Sequence, residues 1–193
     1  MGLFDSFVNK AANQLGNAVK QGVSNAVNNK KEKIVFNSLP ETYEQFISLP
    51  QASLSTPFQT AAMAVLAFCF YPKDSELCYK MIDFLRGPRP MNGSDKSFIR
   101  DRFRDKDYVP RSYFAGATPN NDYQPVAPYT IEVSENQYSY DEQGYAKLFI
   151  KSGGADSPRP IKLRKAKDGK WYLWEYSSIL SGIRQPESSN PWA

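Results

Sequence analysis

Residues 162–176 read "KLRKAKDGKWYLWEY". Two basic, aromatic arms flank one Asp-Gly pair, the dipeptide favoured in a two-residue type I′ turn because both central residues there take positive φ. A hairpin closed at Asp168-Gly169 sets Lys167 opposite Lys170, Arg164 opposite Leu173, Leu163 opposite Trp174 and Lys162 opposite Glu175. Alternation then gathers Ile161, Leu163, Trp174 and Tyr176 on one face, and Lys162, Arg164, Leu173 and Glu175 on the other. The first face is predicted to be core. The second is predicted to be solvated, with a Lys162–Glu175 pair and a cation–π contact near Trp171 or Tyr172. Sheet packing and turn chemistry thus account for the stretch, and nucleic acid is disfavoured as a partner. Residues 159–184 nevertheless carry seven Lys or Arg against Asp168 and Glu175, a net +5 that suits an anionic partner.

Upstream, "YTIEVS", "YAKLFIK" and "RPIKLRKA" precede "KWYLWEYSS", and together they predict an antiparallel sheet of about four strands. The connection "KSGGADSPRP" supplies Ser152, Gly153, Gly154 and Arg159, the ingredients of a backbone nest for an anion, to which Lys162 and Arg164 of the next strand would add charge. It lacks P-loop spacing and does not lead into a helix, so a plain strand connection is the simpler reading. "YVPRSYFAGATPNNDYQPVAP" holds too many prolines and turn residues for regular structure and reads as a long connection wrapped across the domain.

The first half is helical. "SLPETYEQFISLP" reads as a short helix, and "STPFQTAAMAVLAFCFYP" as a buried one with Thr56 as N-cap and Pro57 at the first helical position. "DSELCYKMIDFLRG" is capped by Asp74 or Ser75 and stopped by Gly87, with Leu77, Met81, Phe84 and Leu85 inward. "SDKSFIRDRFRDKD" makes a fourth helix whose nearly balanced outer charges pair among themselves.

Residues 1–31 place Leu3, Phe4, Phe7, Val8, Leu15, Val19 and Val23 at helical spacing, with a net charge of +3. An amphipathic arm is expected, its apolar stripe covered by its own domain, a second copy, a protein partner or an anionic membrane surface, or else frayed into a flexible arm. It has no continuous apolar h-region, so it is not read as a signal peptide. Met1-Gly2 with Ser6 formally fits the myristoylation pattern. After "NNKKEK", taken as a charged joint, residues 32–186 form one α+β domain, with 187–193 as a flexible tail.

The chain of 193 residues contains no histidine. That excludes Ser-His-Asp and Cys-His catalysis, the common zinc sites and histidine pH switches. Cys69 and Cys78 sit in apolar segments and are expected as buried free thiols. The net charge of +4 is mild for a dedicated nucleic-acid binder.

The stretches "DYVPRSYFAGATPNNDYQPVAPYTI", "GYAKLFIKSGGADSPRPIKLRK" and "KWYLWEYSSILSGIRQP" resemble a family of small bacterial proteins, frequent among anaerobic Firmicutes, carried as a domain of unknown function. The likeness spans about residues 34–186. It implies a cytoplasmic bacterial protein and carries no activity or site residue with it. More loosely, the final hairpin resembles the closing hairpin of cone-shaped α+β folds of the nuclear-transport-factor type. The expectation is a non-enzymatic binding or adaptor protein with no cofactor, partnered by a protein, a second copy or a membrane surface. The alternative is a ligand or enzymatic pocket between the helices and the sheet, using carboxylate or tyrosine residues.

Overall fold

The computed structural model describes residues 30–192. Five strands form one antiparallel sheet in chain order: β1 (Lys31–Phe36), β2 (Tyr129–Ser134), β3 (Tyr145–Ile150), β4 (Arg159–Lys165) and β5 (Trp171–Glu175). Between β1 and β2 come α1 (Tyr43–Ser48), α2 (Pro57–Cys69), α3 (Ser75–Arg86) and α4 (Gly93–Phe103). This is the expected α+β class, a helical first half against a C-terminal sheet, with one strand more than the sequence reading supplies. Among the described residues no helix is long and apolar enough to cross a membrane.

The extra strand is β1, which takes up the end of the segment read as a charged joint. Ile34 and Phe36 point into the core while Lys31, Lys33 and Val35 are exposed, so the alternation is real but short. Lysines on an edge strand discourage pairing with other chains, and those same charges hide the strand from a pattern reading. Lys31 therefore belongs to the domain, and the backbone carbonyl of Lys30 accepts from the Glu135 N–H at 2.9 Å. The arm's proposed contact face, Leu3 to Val23, lies outside the described residues.

Helix α2 packs against all five strands. Every residue from Ala61 to Phe68 is buried, as a helix clasped between a sheet and other helices requires. Thr56 caps it by accepting from the Gln59 N–H at 3.3 Å, with Pro57 at the first position, where a missing N–H costs nothing. The one polar side chain buried in α2, Thr60, donates to the Trp171 carbonyl at 2.7 Å and ties the helix to β5. Asp74 caps α3, and Gly87 ends it at φ +56°.

The 108–128 connection is ordered and partly buried. Its Tyr113 hydroxyl donates to the Ile179 carbonyl at 2.9 Å, and its Tyr123 hydroxyl to the Arg184 carbonyl at 2.7 Å. These bonds hold the C-terminal segment in place. The expected tail begins with a short turn at Glu187–Ser189, where the Ser188 N–H donates to Asp122 Oδ1 at 3.2 Å.

The decisive hairpin departs from its predicted register. Of the turn residues only Gly169 has positive φ, at +82°. The Gly169 N–H donates to the Ala166 carbonyl at 3.1 Å, and the Ala166 N–H to the Lys170 carbonyl at 2.9 Å. That is a three-residue loop with glycine in the left-handed position, the next most common hairpin after the two-residue turn. Pairing shifts by one residue, to Lys165 with Trp171, Arg164 with Tyr172 and Leu163 with Leu173. A bulge then leaves Trp174 unpaired and restores Lys162 opposite Glu175. Leu173 is consequently buried beside Leu163, and Trp174, predicted as core, is half-buried on the outer side.

Candidate functional site

The residues singled out in sequence fall in two separate places. Ser152 is buried; its hydroxyl donates to Ser112 Oγ at 2.8 Å and accepts from the Gly154 N–H at 3.1 Å. The Gly153 N–H donates to the Ser112 carbonyl at 2.9 Å. Both glycine amides are thus engaged by the chain itself. A Cβ on Gly153 would meet the Ala117 carbonyl oxygen at 1.9 Å, and one on Gly154 the Tyr123 hydroxyl at 2.1 Å, so close packing explains the glycine pair. Arg159 donates through Nη2 to the Gly182 carbonyl at 2.5 Å, so its charge too is engaged by the chain.

Lys162 and Arg164 stand on the outer face of β4, alternating with buried Ile161 and Leu163. Lys162 Nζ lies 2.6 Å from Glu142 Oε2, 3.9 Å from Glu175 Oε1 and 4.6 Å over the Tyr145 ring. The bond to Glu142 raises its pKa, outweighing partial burial. The Arg164 guanidinium sits 4.8 Å over the Trp174 ring and 5.3 Å over Tyr145. Arg89, from the loop after α3, lies 4.4 Å over the same indole, which meets Tyr145 edge to face at 5.5 Å. Two guanidinium groups therefore sit over one tryptophan, each contact worth about 0.5–1 kcal/mol at an exposed site.

Arg89 is held by what lies beneath it. Arg86 is 4 % exposed, its Nε donates to the Arg89 carbonyl at 2.9 Å, and its Nη2 lies 3.3 Å from Asp95 Oδ2. The same Asp95 closes the capping box of α4, accepting from the Asn92 N–H at 3.0 Å. A helix start, a buried arginine and the Arg89 backbone are thus one connected unit. On the far side the Tyr172 hydroxyl donates to Asp168 Oδ2 at 2.7 Å. That bond, with the Lys170 N–H, keeps the Asp168 carboxyl below its ordinary range, and it raises the phenol to about 12.

Between these groups runs a groove of about 570 Å³, lined by Pro88, Arg89, Arg164, Ala166, Tyr172 and Trp174. Its walls are apolar or aromatic and its charged groups are guanidinium and ammonium, except Asp168, which is bonded to Tyr172. A second depression, of about 390 Å³, opens beside Glu142, Tyr145 and Lys162. Among the described residues, the middle of the helix–sheet interface is filled by buried side chains from α2 and all five strands. Space opens at its margin, in a cleft of about 670 Å³ where Leu66, Cys69 and Leu77 face the 37–41 segment and Tyr129. Cys69 keeps some exposed surface there, but burial of its thiol pushes it up to about 12, while Cys78 is fully buried.

Sequence reasoning found Lys162 and Arg164 but missed Arg89, Tyr145 and Trp174. No pattern in the sequence announces the bulge that turns Trp174 outward, and Arg89 is 75 positions earlier than Arg164, as 164 − 89 gives. Searches of curated proteins and of solved structures return no match. A family model described as "Domain of unknown function (DUF6935)" matches residues 38–187. The match covers well over half of the chain and includes the helices, β2 to β5 and every residue of the groove, so the protein belongs to that family.

Proposed function

We propose that the domain is a non-enzymatic binding module that holds an anionic group of a partner in the groove between the loop after α3 and the β4–β5 hairpin. The observation that carries the reading is the convergence of Arg89 and Arg164 over Trp174, which sets guanidinium N–H donors side by side at the mouth of the groove. A guanidinium already resting on an aromatic ring has part of its rotamer freedom spent before binding, so more of each charge-assisted hydrogen bond appears as affinity. The segment of residues 1–29 would add a second contact, through self-association, a protein partner or an anionic membrane surface. A cytoplasmic setting accords with the two cysteines being free thiols.

The test is a titration of the full chain with anionic probes of several kinds, followed through tryptophan emission, alongside a screen for hydrolase and transferase turnover. At least one anionic probe should bind, and Arg89→Ala with Arg164→Ala should weaken it. Turnover abolished by a single carboxylate substitution would contradict the reading, as would anion binding indifferent to both arginines.

A further inference from the structure

The Trp174 ring of the groove and the neighbouring Tyr145 ring are not offered to a ligand. Arg89 and Arg164 cover Trp174 at 4.4 and 4.8 Å, and Lys162 and Arg164 cover Tyr145 at 4.6 and 5.3 Å. A nucleobase platform needs free ring faces on which successive bases stack, and here cations already occupy the positions over them. Nor do the charges form a track. Glu142 and Glu175 stand beside Lys162, so a chain of phosphates leaving the groove on that side would meet carboxylates, and at the hairpin tip Asp168 interrupts Lys165 and Lys167. The arrangement suits one or two anionic groups set next to apolar surface, for which Pro88, Ala166 and the Tyr172 ring provide the wall.

Resting on the binding reading above, we infer that the groove takes an acidic polypeptide segment, with a carboxylate set against the guanidinium groups of Arg89 and Arg164 and a neighbouring apolar side chain against Pro88 and Tyr172. Arginine pairs with a carboxylate through two parallel N–H···O bonds, and a guanidinium already resting on an indole meets that geometry with less ordering than a free one. Arg86 is a positioning residue, since its Nε holds the Arg89 carbonyl while its own charge is turned to Asp95.

The experiment uses the full chain and three fluorescein-labelled probes: a short peptide alternating glutamate and leucine, the same peptide with glutamine for glutamate, and a deoxythymidine oligonucleotide of equal length. At about 150 mM salt the acidic peptide should bind saturably, and it should weaken about tenfold or more in the Arg89→Ala, Arg164→Ala double variant and in the glutamine version. Both arginine side chains reach solvent, so the double variant is expected to melt near the parent, which thermal unfolding checks. If the oligonucleotide binds more tightly and loses that binding in the same variant, the polypeptide inference falls while the anion-binding reading stands. If no probe binds, or if the variants change nothing, both fall together.

Discussion

Gly87 joins the architecture to the site. Its φ of +56° with ψ of −114° lies where residues other than glycine rarely go, and a Cβ there would meet the Tyr172 ring at 2.2 Å. Gly87→Ala should therefore cost about 2–4 kcal/mol, the sum of backbone strain and a displaced ring, read by denaturant unfolding. Gly169, at φ +82° with open space around it, carries the backbone part alone, so Gly169→Val should cost about 1–2 kcal/mol. Both glycines were legible in the sequence, one as a helix stop and one as a turn. The ring over Gly87 was not, because nothing local links residue 87 to residue 172. The thiols give a pH-dependent check. With Cys69 raised from the ordinary 9.0 to about 12, little of it is thiolate at neutral pH. Alkylation of Cys69 should be slow at pH 7 and rise with pH up to its folded pKa, while Cys78 should label only on unfolding. Rapid labelling of both at pH 7 would contradict their placement.

Among the elements, the β4–β5 hairpin separates what sequence reasoning can reach from what it cannot. Two strands, a turn at Asp168-Gly169 and a Lys162–Glu175 pair all follow from composition and spacing. The choice between a two-residue and a three-residue loop depends on the sign of one φ, at Asp168, and that choice decides whether Leu173 or Trp174 faces the core. The two registers make opposite forecasts. Leu173, buried against Leu163, should lose about 2–4 kcal/mol on replacement by Ala. Trp174, half-buried and stacked on arginines, should lose only about 1–2 kcal/mol despite its size. Reversal of that order in equilibrium unfolding would restore the two-residue turn. Strand β1 escaped notice for a different reason, since an edge strand protected by lysines resembles a charged linker in composition. Arg86→Met should remove about 2–3 kcal/mol by leaving Asp95 and the α4 cap without their counter-charge, measured by the same unfolding experiment.

In the whole molecule, the layered helix-on-sheet arrangement was readable because long periodic segments specify element type even where boundaries slip. The groove was not, because it is assembled from a loop, a bulge and a turn distant in sequence. Without a histidine, no side chain with an ordinary pKa near neutrality titrates between about pH 6 and 8, so melting temperature should be flat there. Burial raises Tyr123 and Tyr176 from the ordinary 10.0 to about 12. The stability they contribute is full below the unfolded value and is lost as pH rises through the folded one, so unfolding should become progressively easier between pH 10 and 12, as melting curves would show. Deleting residues 1–29, which spares Lys30 and β1, should leave the melting temperature nearly unchanged and reduce self-association or vesicle binding, whereas deleting 1–31 removes the first residue of a strand. The claim that binding occurs over Trp174 is tested most directly by fluorine NMR of the full chain labelled with 5-fluorotryptophan, with the Trp174 signal identified through Trp174→Phe. Titration with the glutamate–leucine peptide should shift the Trp174 resonance and leave that of Trp192, far along the chain and exposed, where it was. Saturable binding of that peptide with Trp174 unmoved would contradict the account.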